Sequence, residues 1–428
     1  MRVSLRHLAY ALPAVPLAAL YLPLFSYVTP FYVAERGVDL AAIGFAWIAI
    51  RIFDAVSDPA MGWLSDRTRG RFGRRRLWVL ASVPLLCGAT WMAFVPPEEA
   101  GLGHAVLWLF LVTLGWTMAQ TPYAAWGAEM ERDYDARTRV TSWREAFVLV
   151  GTLLATVVYF VGGAGGDGLF SVAVAVVVLL PLTVGVAVAC APEPPPRPAV
   201  SIGFRAGWRA LAENAPFRRL LGAWFVNGAA NGLPVTLFLF FVEDRLGAPD
   251  DAGWLLLSYF AAAILGIPFW SWAARRISKH RAWALAMIYA SAVFAAALTL
   301  GEGDVTAFAV IAVLTGLAFG ADLSLPPAMQ ADVVDLDTRR TGAERAGLYF
   351  ALWQVATKSA LALSSGTALI LLDLSGFEAS SVNTPAALWT LTVLYAGVPI
   401  LLKLVSVAMI WRFGLDRAAL EALRPGPA

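Results

Sequence analysis

Arg51, Asp54, Ser57 and Asp58 stand close together in a stretch that is otherwise apolar, Arg51-Ile52-Phe53-Asp54-Ala55-Val56-Ser57-Asp58-Pro59. On a helix, positions i, i+3 and i+7 share a face, so Arg51, Asp54 and Asp58 line one stripe about two turns long. A charge near the centre of a bilayer costs about 3 kcal/mol on insertion scales. Three in one span have to face a protein interior and handle ions or polar cargo. Carboxylate and hydroxyl oxygens are the ligand set of a hard cation. With one arginine against two carboxylates, a bound Na⁺ or a proton would neutralise the group. The competing explanation is a structural ladder of ion pairs, which would cost less at a helix end, where water reaches it.

Further candidates lie in other apolar runs. Lys358 sits mid-span in Trp353-Gln354-Val355-Ala356-Thr357-Lys358 and needs an anionic partner. Asp54, Asp58 and Asp322, the last also mid-span, are the expected partners, and a static Lys358–Asp322 bridge is the structural alternative. Lys403, nearer a span end, is expected to be buried and structural. Thr117, Gln120, Tyr123 and Trp126 follow helical spacing, Arg144 opens a later span, and Asn227 and Asn231 mark one face of another. With Trp353 and Gln354 these offer aromatic faces beside amide and hydroxyl groups, a combination that suits a sugar. Most of the 17 tryptophans are nonetheless expected to be interfacial anchors. Gly62, Asp66, Arg67, Gly73 and Arg74 close the charged stretch and read as a cytoplasmic gate, a latch that breaks when two halves rock. Plain anchoring of basic residues to the lipid headgroups competes for the arginines.

The elements that must position these residues follow from composition. The chain has 428 residues, of which 59% are hydrophobic and 14% charged, too few polar groups to cover a soluble protein of this length. The class is an all-α membrane protein. Apolar stretches long enough to span fall near 9–33, 40–65, 77–96, 104–128, 141–163 and 168–191, then near 219–242, 252–274, 282–300, 305–330, 346–372 and 387–411. That predicts twelve transmembrane helices in two six-helix bundles, 1–191 and 218–428. A proline-rich and basic cytoplasmic linker, 192–217, joins them. The basic start followed by an apolar run resembles a signal peptide, but the run is long enough to span and is read as an uncleaved first helix.

Outside the spans, the basic residues gather at the termini and in even-numbered loops; Arg36 and Arg245 are the exceptions. Odd loops carry Glu98, Glu99, Asp250, Asp251, Glu302 and Asp304. Both termini are therefore expected on the cytoplasmic side of the inner membrane. Pro122 followed by Glu129 and Asp133 is echoed by Pro326 followed by Asp332 and Asp337, a faint repeat of the kind that major facilitator proteins show. The two cysteines imply neither a disulfide framework nor a metal site. No phosphate loop, metal-spaced Cys or His pair, or nucleophile–base pair points to an enzyme, and the short arginine cluster faces lipid rather than nucleic acid.

Arg51 to Trp63, with Asp54, Asp58 and Gly62, closely resembles the second-helix signature of the glycoside–pentoside–hexuronide:cation symporters, the family of the melibiose permease. Pro122-Tyr123 with Glu129, Asp133 and Arg137 resembles that family's fourth-helix motif. Ala331-Asp332-Val333-Val334-Asp335 with Gly342, Gly347 and Lys358 resembles its tenth-to-eleventh-helix motif. The resemblance covers essentially the whole chain and implies a major facilitator fold. It implies a cation site of Asp54, Ser57, Asp58 and Thr117, with Lys358 and Arg144 in the family's charged positions.

The family's galactoside clamp is not retained. Its first-helix Lys-Asp pair falls on the apolar Pro16-Leu17-Ala18-Ala19, its fourth-helix Asp on Gln120 and its stacking Trp on Ala124. The expected function is cation-coupled symport of a sugar, glycoside or related small polar solute by alternating access. A lysolipid carrier of the same fold is the first alternative, with an apolar first helix suited to an acyl chain. A membrane sensor that binds without transporting is the second. Na⁺ or H⁺ is expected as coupling ion with no other cofactor; membrane lipids and a small-molecule substrate are the expected partners, no nucleic acid is expected, and the protein is expected to be monomeric.

Overall fold

The computed structural model describes residues 5–68, 73–130, 134–192, 214–341, 346–379 and 381–415, which are helical and contain no strand. The chain divides into two compact units, Met1–Pro198 and Ala199–Ala428. Most of the expected linker, residues 193–213, lies outside the described residues.

Six long helices form the first unit. The first is broken into Leu5–Ala11, Ala14–Ser26 and Val28–Arg36. The breaks follow from Pro13 and Pro30, since proline lacks the N–H that would continue the ladder. The others are Leu40–Arg67, Arg74–Phe94, Leu102–Met130, Tyr134–Val161 and Gly165–Cys190. The second unit repeats the number. Its seventh helix is Ala215–Phe240 with a π turn at Phe241–Arg245, the eighth Ala252–Ile277 and the ninth Lys279–Phe294. The tenth is Val305–Thr341, the eleventh Ala346–Leu374, and the twelfth Pro385–Thr392 continuing through a π turn into Val398–Ile410. Eleven of these are long and apolar enough to cross a bilayer. The remaining one, Leu40–Arg67, has 28 residues and at 1.5 Å per residue is about 42 Å long, also sufficient. The protein is an integral membrane protein.

In the first unit the first and fourth helices are clamped by a reciprocal pair. The Tyr10 hydroxyl donates to the Tyr123 carbonyl at 2.8 Å, and the Tyr123 hydroxyl donates to the Tyr10 carbonyl at 2.6 Å. Leu17, Ala18 and Ala19, where the family has its sugar-holding pair, are 3%, 5% and 3% exposed.

The second unit is built around a cluster in which Trp283, Met287, Ala321, Leu325, Met329 and Trp353 pack together. Its eighth and tenth helices meet backbone to backbone. A methyl group at Gly266 would land on the Leu317 carbonyl, one at Gly316 on the Tyr259 carbonyl, and one at Gly320 on the Ala263 carbonyl. Glycine at these positions is what permits the approach. Near the opposite end, the π turns of the seventh and twelfth helices are joined by Phe241 stacked on Tyr395 at 4.2 Å and 10°.

Candidate functional site

The second helix starts behind Asp39, whose side chain caps it by accepting from Ala42 N–H at 2.7 Å, and it carries the charged stripe inward from there. Arg51 and Asp54 are 8% and 2% exposed and paired, Arg51 Nη1 to Asp54 Oδ2 at 2.9 Å. The guanidinium also lies over the Phe25 ring at 4.4 Å and near Trp47 at 5.8 Å, so aromatic faces replace part of its lost hydration. From the fourth helix, Thr117, 1% exposed, brings its hydroxyl between the two carboxylates. Its Oγ1 is 2.8 Å from Asp54 Oδ1 and 3.0 Å from Asp58 Oδ1. Asp54, Asp58 and Thr117 thus form one oxygen cluster. Ser57 is turned away from it: its hydroxyl donates to the Asp54 backbone carbonyl at 3.3 Å.

A hydroxyl carries one hydrogen, and a carboxylate only accepts. Thr117 can therefore serve one carboxylate at a time. The second close oxygen–oxygen approach is strengthened when a proton or a hard cation lies among the three oxygens. Among the described residues no group of three or more His, Cys, Asp or Glu gathers at one point, so a transition-metal centre has no ligand set here. Two carboxylates and a hydroxyl fit a small hard cation or a proton.

In the second unit Asp322 is 4% exposed and held by three N–H donors. Trp283 Nε1 donates to Oδ1 at 2.6 Å, and Asn231 Nδ2 donates to Oδ2 at 2.9 Å. The third is Lys403, whose Nζ is 3.4 Å from Oδ2 and also donates to Asn227 Oδ1 at 2.9 Å. The cation on Asp322 is thus Lys403 of the twelfth helix, and the static Lys358–Asp322 bridge held as the structural alternative is not what fills this site. Packing explains the pairing, because the seventh helix brings its Asn227–Asn231 face against the twelfth as well as the tenth. Lys358 is half-buried on the eleventh helix. Next to it, Thr357 accepts from Trp224 Nε1 at 2.6 Å, and Trp224 stacks on Trp353 at 4.7 Å and 16°. Gln354 is exposed and Trp353 buried.

A sequence model described as MFS/sugar transport protein matches residues 9–417. The chain belongs to that family. Relatives along most of its length include the uncharacterized symporter YnaJ of Bacillus subtilis, 23% identical over 93% of this chain and 89% of that protein. Another is the sodium-dependent lysophosphatidylcholine symporter 1-A of Danio rerio, 23% identical over 87% of this chain and 78% of its own. The crystal structure of a mutant of the nucleoside transporter NupG matches with a TM-score of 0.71 at 12% identity, covering 95% of this chain and 99% of the other. Fold and family are those of major facilitator transporters.

The remaining candidates divide within this MFS fold. Tyr123 is 1% exposed and spends its hydroxyl on the first helix, so it is a helix clamp rather than a cavity wall. Gln120 is half-buried on the same helix. Arg144 pairs with the neighbouring Glu145 at 2.6 Å. At the gate, Gly62 faces Thr121 of the fourth helix. Gly73 opens the third helix with φ +88°, and Arg67 is exposed while Arg74 is half-buried. The side chain of Asp66 and residues 69–72 lie outside the described residues. Ties between the second and third helices come from residues not offered as the gate: Arg75 Nη1 donates to the buried Ser65 hydroxyl at 2.6 Å, and Trp78 Nε1 donates to Thr68 Oγ1 at 2.8 Å. Arg76 next to Arg75 donates to the Ala191 carbonyl at the end of the sixth helix. Only their place in the basic run marked the two arginines.

Proposed function

We propose that this protein is a symporter that moves a small polar solute together with Na⁺ or H⁺ by alternating access of its two six-helix halves. Asp54, Asp58 and Thr117 form the cation site, and Arg51 holds Asp54 in place. The observation that carries the reading is the Thr117 hydroxyl lying within hydrogen-bond distance of both carboxylates with one hydrogen to give. Cation and substrate each raise the other's affinity by the same factor, as linkage requires. The membership of the MFS/sugar transport family supports a sugar or related polyhydroxy solute. Trp224, Trp353, Gln354, Lys358, Gln120 and Arg144 are the residues offered as its surroundings, and Gly62, Asp66, Arg67, Gly73 and Arg74 as the gate. The distribution of Lys and Arg between loops supports both termini lying on the cytoplasmic side of the inner membrane.

The test is uptake by the full-length protein in liposomes under an imposed Na⁺ or pH gradient. Asp58→Asn is expected to abolish gradient-driven accumulation while the protein stays folded and inserted. A variant that still concentrates substrate overturns the assignment. A lysolipid substrate is the second reading, favoured by the similarity to the sodium-dependent lysophosphatidylcholine symporter along most of the chain. The same liposomes offered a lysophosphatidylcholine decide between the two.

A further inference from the structure

Asn227 and Asn231 stand one turn apart on the seventh helix, and the ion pair beside them turns their amides in opposite senses. Asp322 can only accept, so the Asn231 atom 2.9 Å from its Oδ2 is the NH₂ end. Lys403 can only donate, so the Asn227 atom 2.9 Å from Nζ is the oxygen. Neither amide can flip without opposing like to like. Asn227 is fully buried, whereas Asn231 is half-buried. Its carbonyl oxygen, which no described residue bonds, is not among the sealed polar atoms.

An open acceptor at this depth has no place against hydrocarbon. Its surroundings agree. Two turns earlier on the same helix, half-buried Trp224 is fixed by Thr357 and Trp353. On the eleventh helix, Gln354 and Lys358 flank Thr357 and are not sealed in. The Trp283 ring, whose N–H holds Asp322, lies 6.4 Å from Trp224. Trp224 and Asn231, seven residues apart, thus share a face of the seventh helix, the aromatic ring held by the eleventh helix and the amide by Asp322 of the tenth.

We propose that Asn231 is a specificity-determining residue, its carbonyl oxygen accepting a hydrogen bond from a substrate hydroxyl that lies beside Trp224. Asp322 and Lys403 are the residues that position it. The proposal rests on the symport reading and adds to it the chemistry of the second half's contact, a hydroxyl donor. That hydroxyl can belong to a sugar ring or to the glycerol of a lysolipid.

The experiment compares matched pairs in liposomes bearing the full-length protein. One arm uses methyl β-glucopyranoside against its monodeoxy analogues, and the other 1-acyl lysophosphatidylcholine against its 2-deoxy analogue. Wild type is expected to prefer the hydroxylated member of one arm by about two- to tenfold in KM, the range of one neutral hydrogen bond. Asn231→Leu and Asn231→Ala are expected to bring that ratio to about one by raising the KM of the hydroxylated member alone, with the deoxy KM unchanged. If either variant changes both members by the same factor, or keeps the ratio, the inference is wrong and the symport reading stands. If wild type moves neither arm under either gradient, the symport reading itself fails and takes the inference with it.

Discussion

Replacing Thr117 by valine removes one hydroxyl and almost no volume, and it tells a proton from a sodium ion. The hydroxyl lies 2.8 and 3.0 Å from the carboxylate oxygens of Asp54 and Asp58 and is 1% exposed, so water does not replace it cheaply. A hydrogen bond to a charged acceptor is worth about 1.5–3 kcal/mol. If the coupling ion is H⁺, the hydroxyl donates to one carboxylate and accepts from the protonated other, so its loss weakens proton coupling and changes the response of uptake to pH but not to Na⁺. If the ion is Na⁺, the hydroxyl oxygen is a ligand, and its loss weakens binding, raising the half-saturating Na⁺ concentration by on the order of tenfold. Uptake into liposomes, titrated with Na⁺ at fixed pH and with pH at fixed Na⁺, reads both midpoints. A Thr117→Val protein that transports with neither midpoint moved by more than about twofold would refute the cluster as the coupling site, because such a change is far below the worth of one charge-assisted bond.

Lys403→Met should strip a buried carboxylate of its cation, Asp322 and Lys403 having side chains 5% and 14% exposed. A destabilisation of about 3–5 kcal/mol is expected in thermal melts, and most of it should return in the double variant Lys403→Met/Asp322→Leu. A melt of the single variant equal to wild type would show that the pair does not hold the bundle. Gly266→Val would drive a side chain into the Leu317 carbonyl; loss of monodisperse protein on size exclusion is expected, with Gly185→Ala, which meets open space, as the tolerated control.

Much of the fold could be read from hydropathy, because a bilayer demands a run of about 20 apolar residues per helix and the described residues supply eleven, with Leu40–Arg67 long enough to be the twelfth. The ends moved by a few residues, since helices run past the hydrocarbon where hydropathy no longer marks them: the tenth continues to Thr341. The carboxylate stripe of the second helix was legible because periodicity within one helix needs no knowledge of neighbours. Spacing marked Thr117 only as a cavity residue, and its place in the cation site was reached through family resemblance, as it lies on a different helix. The partner of Asp322 could not be read for the same reason. The sequence marked Lys403 as buried and structural, but only the packing of the seventh helix against the tenth and twelfth brings it to Asp322. Arg75 and Ser65 were hidden in a run of arginines whose composition fits simple membrane anchoring equally well.

The glycine contacts of the eighth and tenth helices constrain how the second half can move. Carbonyls seated in the notches at Gly266, Gly316 and Gly320 act like teeth in a rack, so these helices cannot slide along one another without first separating. Pro268 on one and Pro326-Pro327 on the other lie within two turns of the toothed stretch, where a missing backbone N–H leaves the ladder free to bend. Any rearrangement of this bundle during turnover should therefore flex the pair at its prolines and carry the toothed stretch along as a unit.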